Sequence, residues 1–163
     1  MSFHQKLSEK FHNKESLNTF LNSCKSQGKK VVFTNGCFDI LHRGHVEYLT
    51  QARDLGDVMV LGLNTDSSVK RLGKSPERPI NNEETRAVIL AGLECIDAII
   101  LFDEDTPYDL IKFVQPDVLV KGDDYKPEDI VGYDIVTANG GKVITIPLVK
   151  GFSTTNLIAK MKG

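Results

Sequence analysis

The chain has no tryptophan, three cysteines in 163 residues, and no apolar run long enough to cross a membrane. Each shortage excludes something. Cys24, Cys37 and Cys95 are odd in number and form no CxxC pair, so they read as reduced thiols of a cytoplasmic protein, not a disulfide framework. The opening segment MSFHQKLSEKFHNKES is too polar for a signal peptide, and neither it nor any later stretch calls for a membrane partner. Charge of one sign is not in excess either. Twenty Lys and Arg against 22 Asp and Glu leave a net charge of -2, which removes the broad basic field that nucleic acid or an anionic bilayer needs. Any anion site must be local.

What is present is enough for one core, with 40% apolar residues and the length of a single domain. Residues 1–29 read as an N-terminal helical leader closed by Gly28, and residues 30–163 as the domain proper. Five short β-branched runs, KVVFTN, DVMVLGLN, DAIILF, PDVLVKG and GKVITIP, alternate with amphipathic segments at 46–55, 82–94, 106–114 and 128–140. That alternation predicts a five-stranded parallel sheet with helices on both faces. Helix starts are expected at Thr106, an N-cap followed by Pro107, and at a capping box of Asn81 with Glu84. The stretch KRLGKSPERPIN, with a glycine, two prolines and four basic residues, reads as an exposed loop.

In such a sheet ligands bind beyond the carboxyl ends of the strands, so residues just after strands carry most information. After the first run comes TNGCFDILHRGH. A helix beginning near Arg43 puts His42 and His45 on one face of its first turn, where free backbone N–H groups favour an anion. Gly44 lets that anion approach the backbone. Two alternatives exist. The histidines could be half of a zinc site, but His4 and His12 lie in the leader and no cysteine pair completes it. Cys37 could be a nucleophile, or simply a small buried residue at a tight turn. Lys70, Arg71, Lys74 and Arg78 form either a solvated basic loop or a phosphate contact. Arg86 sits in a helix's first turn, against the dipole, and so implies a phosphate or an acidic neighbour. KGDDY is a turn whose carboxylates can also accept sugar hydroxyls, and Ser153, Thr154 and Thr155 put three hydroxyls beside the free N–H groups of the last helix.

GCFDILHRGH resembles the HxGH signature of the nucleotidyltransferase superfamily. From about Lys29 onward, VLGLNTDSSVKRL, RPINNEETRAVILAGLE, PDVLVKGDDY, IVGYDIVTANGGKV and GFSTTNLI are similar to the adenylyltransferases that make ADP-heptose. The resemblance implies a Rossmann-like fold, ATP and D-glycero-β-D-manno-heptose 1-phosphate as substrates, Mg2+ held mainly by phosphate oxygens and water, and a homodimer. It also resembles the stand-alone version of an enzyme often fused to a sugar kinase. By the same resemblance His42, His45 and Lys74 are catalytic, with Lys70 the alternative to Lys74. Thr34, Asn35, Gly36, Cys37, Phe38, Gly44, Lys121, Gly122, Asp124, Ser153, Thr154 and Thr155 bind the nucleotide. Asp39, Asn64, Asp66, Lys70, Arg78 and Arg86 serve the acceptor; Asp39 either orders its turn or helps seat the metal. Ile158 departs from the superfamily pattern, which has an arginine there. A cytidylyltransferase acting on glycerol 3-phosphate and a non-catalytic nucleotide-binding module are the competing readings.

Overall fold

The computed structural model describes residues 1–163. Six strands, β1 (Phe11–His12), β2 (Val31–Gly36), β3 (Val58–Asn64), β4 (Ala98–Phe102), β5 (Val118–Gly122) and β6 (Lys142–Ile146), form one sheet in the order β1-β4-β3-β2-β5-β6. Every pairing is parallel. The helices are α1 (Phe3–Ser8), α2 (Lys14–Ser26), α3 (Arg43–Arg53), α4 (Asp66–Arg71), α5 (Glu83–Ala91), α6 (Tyr108–Val114), α7 (Tyr133–Ala138) and α8 (Thr154–Lys162).

The central strand explains the layering. All seven residues of β3 are buried, as expected for a strand covered on both faces. Because successive side chains alternate, Met59, Leu61 and Leu63 enter one core with α3 and α5, while Val58 and Val60 enter the other with α2, α6 and α7.

The sheet has six strands, not five, and the first 29 residues are not a purely helical lead-in. Phe11 and His12 add an edge strand beside Ile99 and Ile100 of β4. The Ile99 N–H donates to the Lys10 carbonyl at 2.7 Å, and Leu17 of α2 is wholly buried. Lys10 Nζ donates to the carbonyls of Ala91 and Leu93, both at 2.9 Å, satisfying acceptors at the end of α5 where a cation also suits the dipole. Two residues are too few for periodicity to mark them as a strand.

Two helix starts also differ from expectation. Asn82, not Asn81, caps α5 and accepts from the Thr85 N–H at 2.8 Å, because the Asn81 side chain donates to the Asp39 carbonyl. Pro107 occupies the N-cap of α6 with no side-chain cap bond, so Thr106 is outside the helix. The segment expected to be one helix at 128–140 is a short 3-10 turn, Pro127–Asp129, followed by α7. From β2 the chain runs outward through β3 to β4, then returns to place β5 on the other side of β2. Connections leave β2 and β5 in opposite directions, which opens a crevice at their carboxyl ends.

Candidate active site

The crevice is built on the first turn of α3. His42 is its N-cap, in an extended conformation, and His45 is three residues on. The His45 N–H approaches His42 Nδ1 and the His42 N–H approaches His45 Nδ1, each at 3.4 Å. This is a reciprocal capping box made of two imidazoles. The rings stack with centroids 3.8 Å apart and 17° between planes. A Cβ on Gly44 would lie 3.0 Å from the His42 ring and 3.1 Å from Phe152 Cβ, so glycine is what permits the stack.

The cap dictates the chemistry of the rings. An Nδ1 that accepts a backbone N–H carries no proton, so the neutral ring holds its proton on Nε2 and remains a donor there. Burial, with His42, Lys74 and Arg78 nearby, lowers the His45 pKa to about 4; burial lowers that of His42 as well. At neutral pH both rings are therefore uncharged donors, which a close stack of two imidazoliums could not be.

A cavity of about 360 Å³ lies over these rings at the ends of β2 and β5. Its polar lining includes His42, His45, Lys74, Lys121, Asp124 and the hydroxyl residues Ser153, Thr154 and Thr155. Tyr125, Leu148, Val149 and Phe152 form an apolar wall. Lys121 reaches across from β5, with Nζ 3.3 Å from Asn35 Oδ1, and burial lowers its pKa against the opposing pull of Asp124. Ser153 caps α8, accepting from the Asn156 N–H at 3.0 Å.

Asn35, Gly36, Cys37, Phe38, Gly44 and Gly122 line the cavity with these residues. Thr34 does not. It is fully buried beneath the floor, where Oγ1 is 2.8 Å from the Tyr48 hydroxyl, which itself donates to the Val120 carbonyl. Lys74 borders the cavity, whereas Lys70 is exposed on α4 and borders neither this cavity nor its neighbour.

Asp39 and Arg86, expected to touch the acceptor, face inward instead, whereas Arg78 lines the first cavity. Asp39 is 1% exposed, and its carboxylate accepts from Arg78 Nε at 3.2 Å and from the Ile80 and Asn81 N–H groups at 2.8 and 2.9 Å. That ties the 72–81 loop to the turn after β2, so the end of the loop is anchored. Arg86 is buried. It donates to the carbonyls of Asn81, Cys37 and Asn64 and to Asp66 Oδ1. The cation set against its helix dipole is answered by an acidic neighbour. The Asn64 amide donates to Ser68 Oγ.

A second cavity, of about 330 Å³, adjoins the first and shares Asn35, Gly36, Cys37, Lys74, Lys121 and Tyr125. Its other side carries Asn64, Asp105, Thr106 and Asp129. Asp105, Thr106 and Asp129 were not expected as site residues from sequence, nor was the apolar wall of the first cavity. Asp105, Thr106 and the apolar wall lie in loops, where no periodicity marks them, and Asp129 ends a short 3-10 turn; Phe152, beside the hydroxyl cluster, was the one with a usable signal.

A model of the cytidylyltransferase-like family matches residues 33–159. The chain belongs to the cytidylyltransferase-like family. It is 57% identical over 148 residues to the bifunctional protein HldE of Syntrophotalea carbinolica, covering 91% of this chain and 30% of that protein. Against the protein of the same name from Trichlorobacter lovleyi it is 51% identical over 158 residues, covering 97% of this chain and 32% of that protein. The chain thus spans about a third of the length of these curated relatives. Among solved structures, the lipopolysaccharide core biosynthesis protein of Thermoplasma volcanium is 30% identical with a TM-score of 0.63, covering 77% of this chain and 100% of that one. The pantoate-beta-alanine ligase of Francisella tularensis, at 17% identity and a TM-score of 0.60, shares the fold; the match covers 93% of this chain and 76% of that one.

This cytidylyltransferase-like chain therefore presents two imidazole donors, two lysines, a helix N-terminus and three hydroxyl residues around one cavity, with an apolar wall against which a base can stack. No three His, Cys, Asp or Glu side chains converge in a metal-holding group, and the Asp39 carboxylate is fully engaged by protein donors. Asp124 is the carboxylate on the cavity wall. Such a lining fits a divalent ion carried by phosphate oxygens and does not fit a dedicated protein cage. No helix is long and apolar enough to cross a membrane.

Proposed function

We propose that the chain moves AMP from ATP to D-glycero-β-D-manno-heptose 1-phosphate, releasing pyrophosphate and forming ADP-heptose for surface-glycan biosynthesis. A phosphate oxygen of the sugar attacks the α-phosphorus, the bond to the bridging oxygen breaks, and the electron pair leaves with pyrophosphate. The nucleophile is already an anion, so no strong base is needed; the task is to align two negative reactants and stabilise the charge that develops. The stacked pair supports this reading most directly. Two neutral imidazoles whose Nδ1 atoms are occupied by backbone N–H groups are preorganised Nε2 donors, and they lie beside Lys74 and Lys121 in one cavity.

The second cavity supports the acceptor assignment. Lys74 and Lys121 border it where it meets the first cavity, and Asn64, Asp105, Thr106 and Asp129 supply oxygen and amide groups elsewhere on its lining. A molecule with a phosphate at one end and several hydroxyls at the other matches such a lining. Magnesium arriving with the triphosphate would neutralise its oxygens, with Asp124 the protein carboxylate available to it. The proposal includes a cytoplasmic homodimer, as the family resemblance implies.

The test crosses ATP and CTP with heptose 1-phosphate and glycerol 3-phosphate in a pyrophosphate-release assay. Heptose 1-phosphate with ATP is expected to exceed glycerol 3-phosphate with CTP by at least ~10²-fold in kcat/KM, because polar groups built to pair with hydroxyls strongly reject a ligand lacking them. Faster turnover of the CTP pair would refute the acceptor while leaving nucleotidyl transfer intact. No turnover of any pair would refute catalysis.

A further inference from the structure

The wall of the second cavity that carries Asp105 and Thr106 is fastened to α4 at three points. Thr65, Ser68 and Arg71, spaced three apart, share one side of the helix and its cap. Thr65 Oγ1 donates to Asp103 Oδ1, and Ser68 Oγ donates to the Glu104 carbonyl at 3.2 Å. Arg71 Nε donates to Asp105 Oδ1 at 2.9 Å, while its Nη2 donates to the Asp103 carbonyl. Asn64, which also lines this cavity, donates to the same Ser68 hydroxyl at 2.9 Å. Arg71 itself borders neither cavity.

Folding stability does not account for the Arg71–Asp105 pair. Its side chains are 44% and 77% exposed, and an ion pair so open to water contributes little. What the pair fixes is direction. One carboxylate oxygen of Asp105 is taken by Arg71, and no protein donor meets the other. An ionised carboxylate can only accept, so a ligand group facing Asp105 has to be a donor such as a hydroxyl. The rest of the lining agrees. Lys74 and Lys121 belong to both cavities, whereas the carboxylates Asp105 and Asp129 belong to the second alone. The second cavity is therefore polarised, drawing a phosphate to the lysines and turning it away from the carboxylates. A hydroxylated ligand with one phosphate fits that polarity, and a triphosphate is repelled by it.

We propose that Asp105 reads a hydroxyl of the acceptor sugar and that Arg71 is the positioning residue that aims it. The proposal rests on the nucleotidyl-transfer reading above and names the group that selects a polyhydroxylated sugar phosphate. Arg71 touches neither substrate. Held in one geometry, Asp105 meets the hydroxyl with less loss of side-chain freedom than an unrestrained carboxylate such as Asp129. The hydrogen bond is charge-assisted, so a sugar without that hydroxyl leaves the carboxylate unanswered.

The test pairs changes in the protein with changes in the sugar. Heptose 1-phosphate and its monodeoxy analogues are titrated by calorimetry into wild type, Asp105→Ala, Arg71→Met and the double variant, each holding an ATP analogue with a methylene α–β bridge. One monodeoxy analogue should bind the wild type about tenfold more weakly than the parent sugar, the scale of one charge-assisted hydrogen bond. In Asp105→Ala that difference should vanish. In Arg71→Met it should shrink to about threefold, Arg71→Lys should recover part of it, and the double variant should behave as Asp105→Ala does. In turnover, KM for heptose 1-phosphate should rise about tenfold in Asp105→Ala with KM for ATP unchanged. A pair that only fastens the loop would raise both KM values together and leave the discrimination among deoxy sugars as it was.

Discrimination that persists in Asp105→Ala would overturn the proposal, and if the wild type turns over heptose 1-phosphate, nucleotidyl transfer stands. Discrimination lost in Asp105→Ala but intact in Arg71→Met would overturn the positioning role. The expected pattern of binding in a wild type that turns over no acceptor would support the hydroxyl contact and count against the transfer reading. A wild type that does not bind heptose 1-phosphate at all would overturn both.

Discussion

Replacing Arg86 with methionine should weaken the fold far more than it weakens substrate binding. The side chain is fully buried and donates to three carbonyls, those of Asn81, Cys37 and Asn64, and to Asp66. Methionine fills most of the volume, so the cavity contribution is small, but the three carbonyls lose their charged partner. Each buried acceptor left unpaired costs about 1–3 kcal/mol. The Asp66 carboxylate, 31% exposed, recovers part of its loss from water. A total near 4 kcal/mol follows, within the range for breaking a buried pair from one side. For a domain of this size that corresponds to a Tm lower by about 8–16 °C. Arg86→Lys keeps the charge but not the planar fork, and should lose roughly half as much. Urea unfolding followed by circular dichroism measures both. A Lys and a Met variant as stable as the wild type, with KM for the acceptor raised tenfold, would show that Arg86 is a substrate contact and that the buried network described here is not its role.

His42→Ala and His45→Ala should each lower kcat by ~10²–10³ in folded protein, the effect of losing one preorganised donor; wild-type kcat in both would remove the histidines from the mechanism. His45 also makes stability depend on pH. Its folded pKa of about 4 lies below its ordinary 6.5, so the unfolded chain takes up a proton first as pH falls; its contribution is intact above pH 6.5 and is lost between 6.5 and 4, by up to about 3 kcal/mol. Unfolding curves at pH 7 and pH 4.5 should differ less in His45→Ala than in the wild type. Exhaustive chelation should abolish turnover and magnesium should restore it; full activity without any divalent ion would contradict a metal carried by the triphosphate. Light scattering should give twice the chain mass if the proposed homodimer forms.

The five longer strands and the histidine pair at the start of α3 were legible in sequence because each had a local cause. β3 reads as a strand from seven consecutive residues that suit a sheet covered on both sides, and the two histidines declare a helix start by spacing alone. The short edge strand had no such cause. Phe11 and His12 are extended because β4 lies beside them, and Lys10 is fixed by carbonyls more than eighty residues away. The same distinction divides the charged residues. Sequence could say that Arg86 needed a counterpart but not whether a phosphate or a carboxylate supplied it, and tertiary contact decided for Asp66 and three backbone carbonyls. Likewise Asp39 and Arg78, 39 residues apart, look like surface charges until the loop folds back and buries them together. Local spacing determines which faces are apolar and roughly where helices lie, since those depend on neighbours in the chain, but the capping residue of α5 shifted to Asn82 because Asn81 is engaged by Asp39. Which polar group faces ligand and which faces protein depends on what the fold brings opposite it, and that is decided only when the strands are laid side by side.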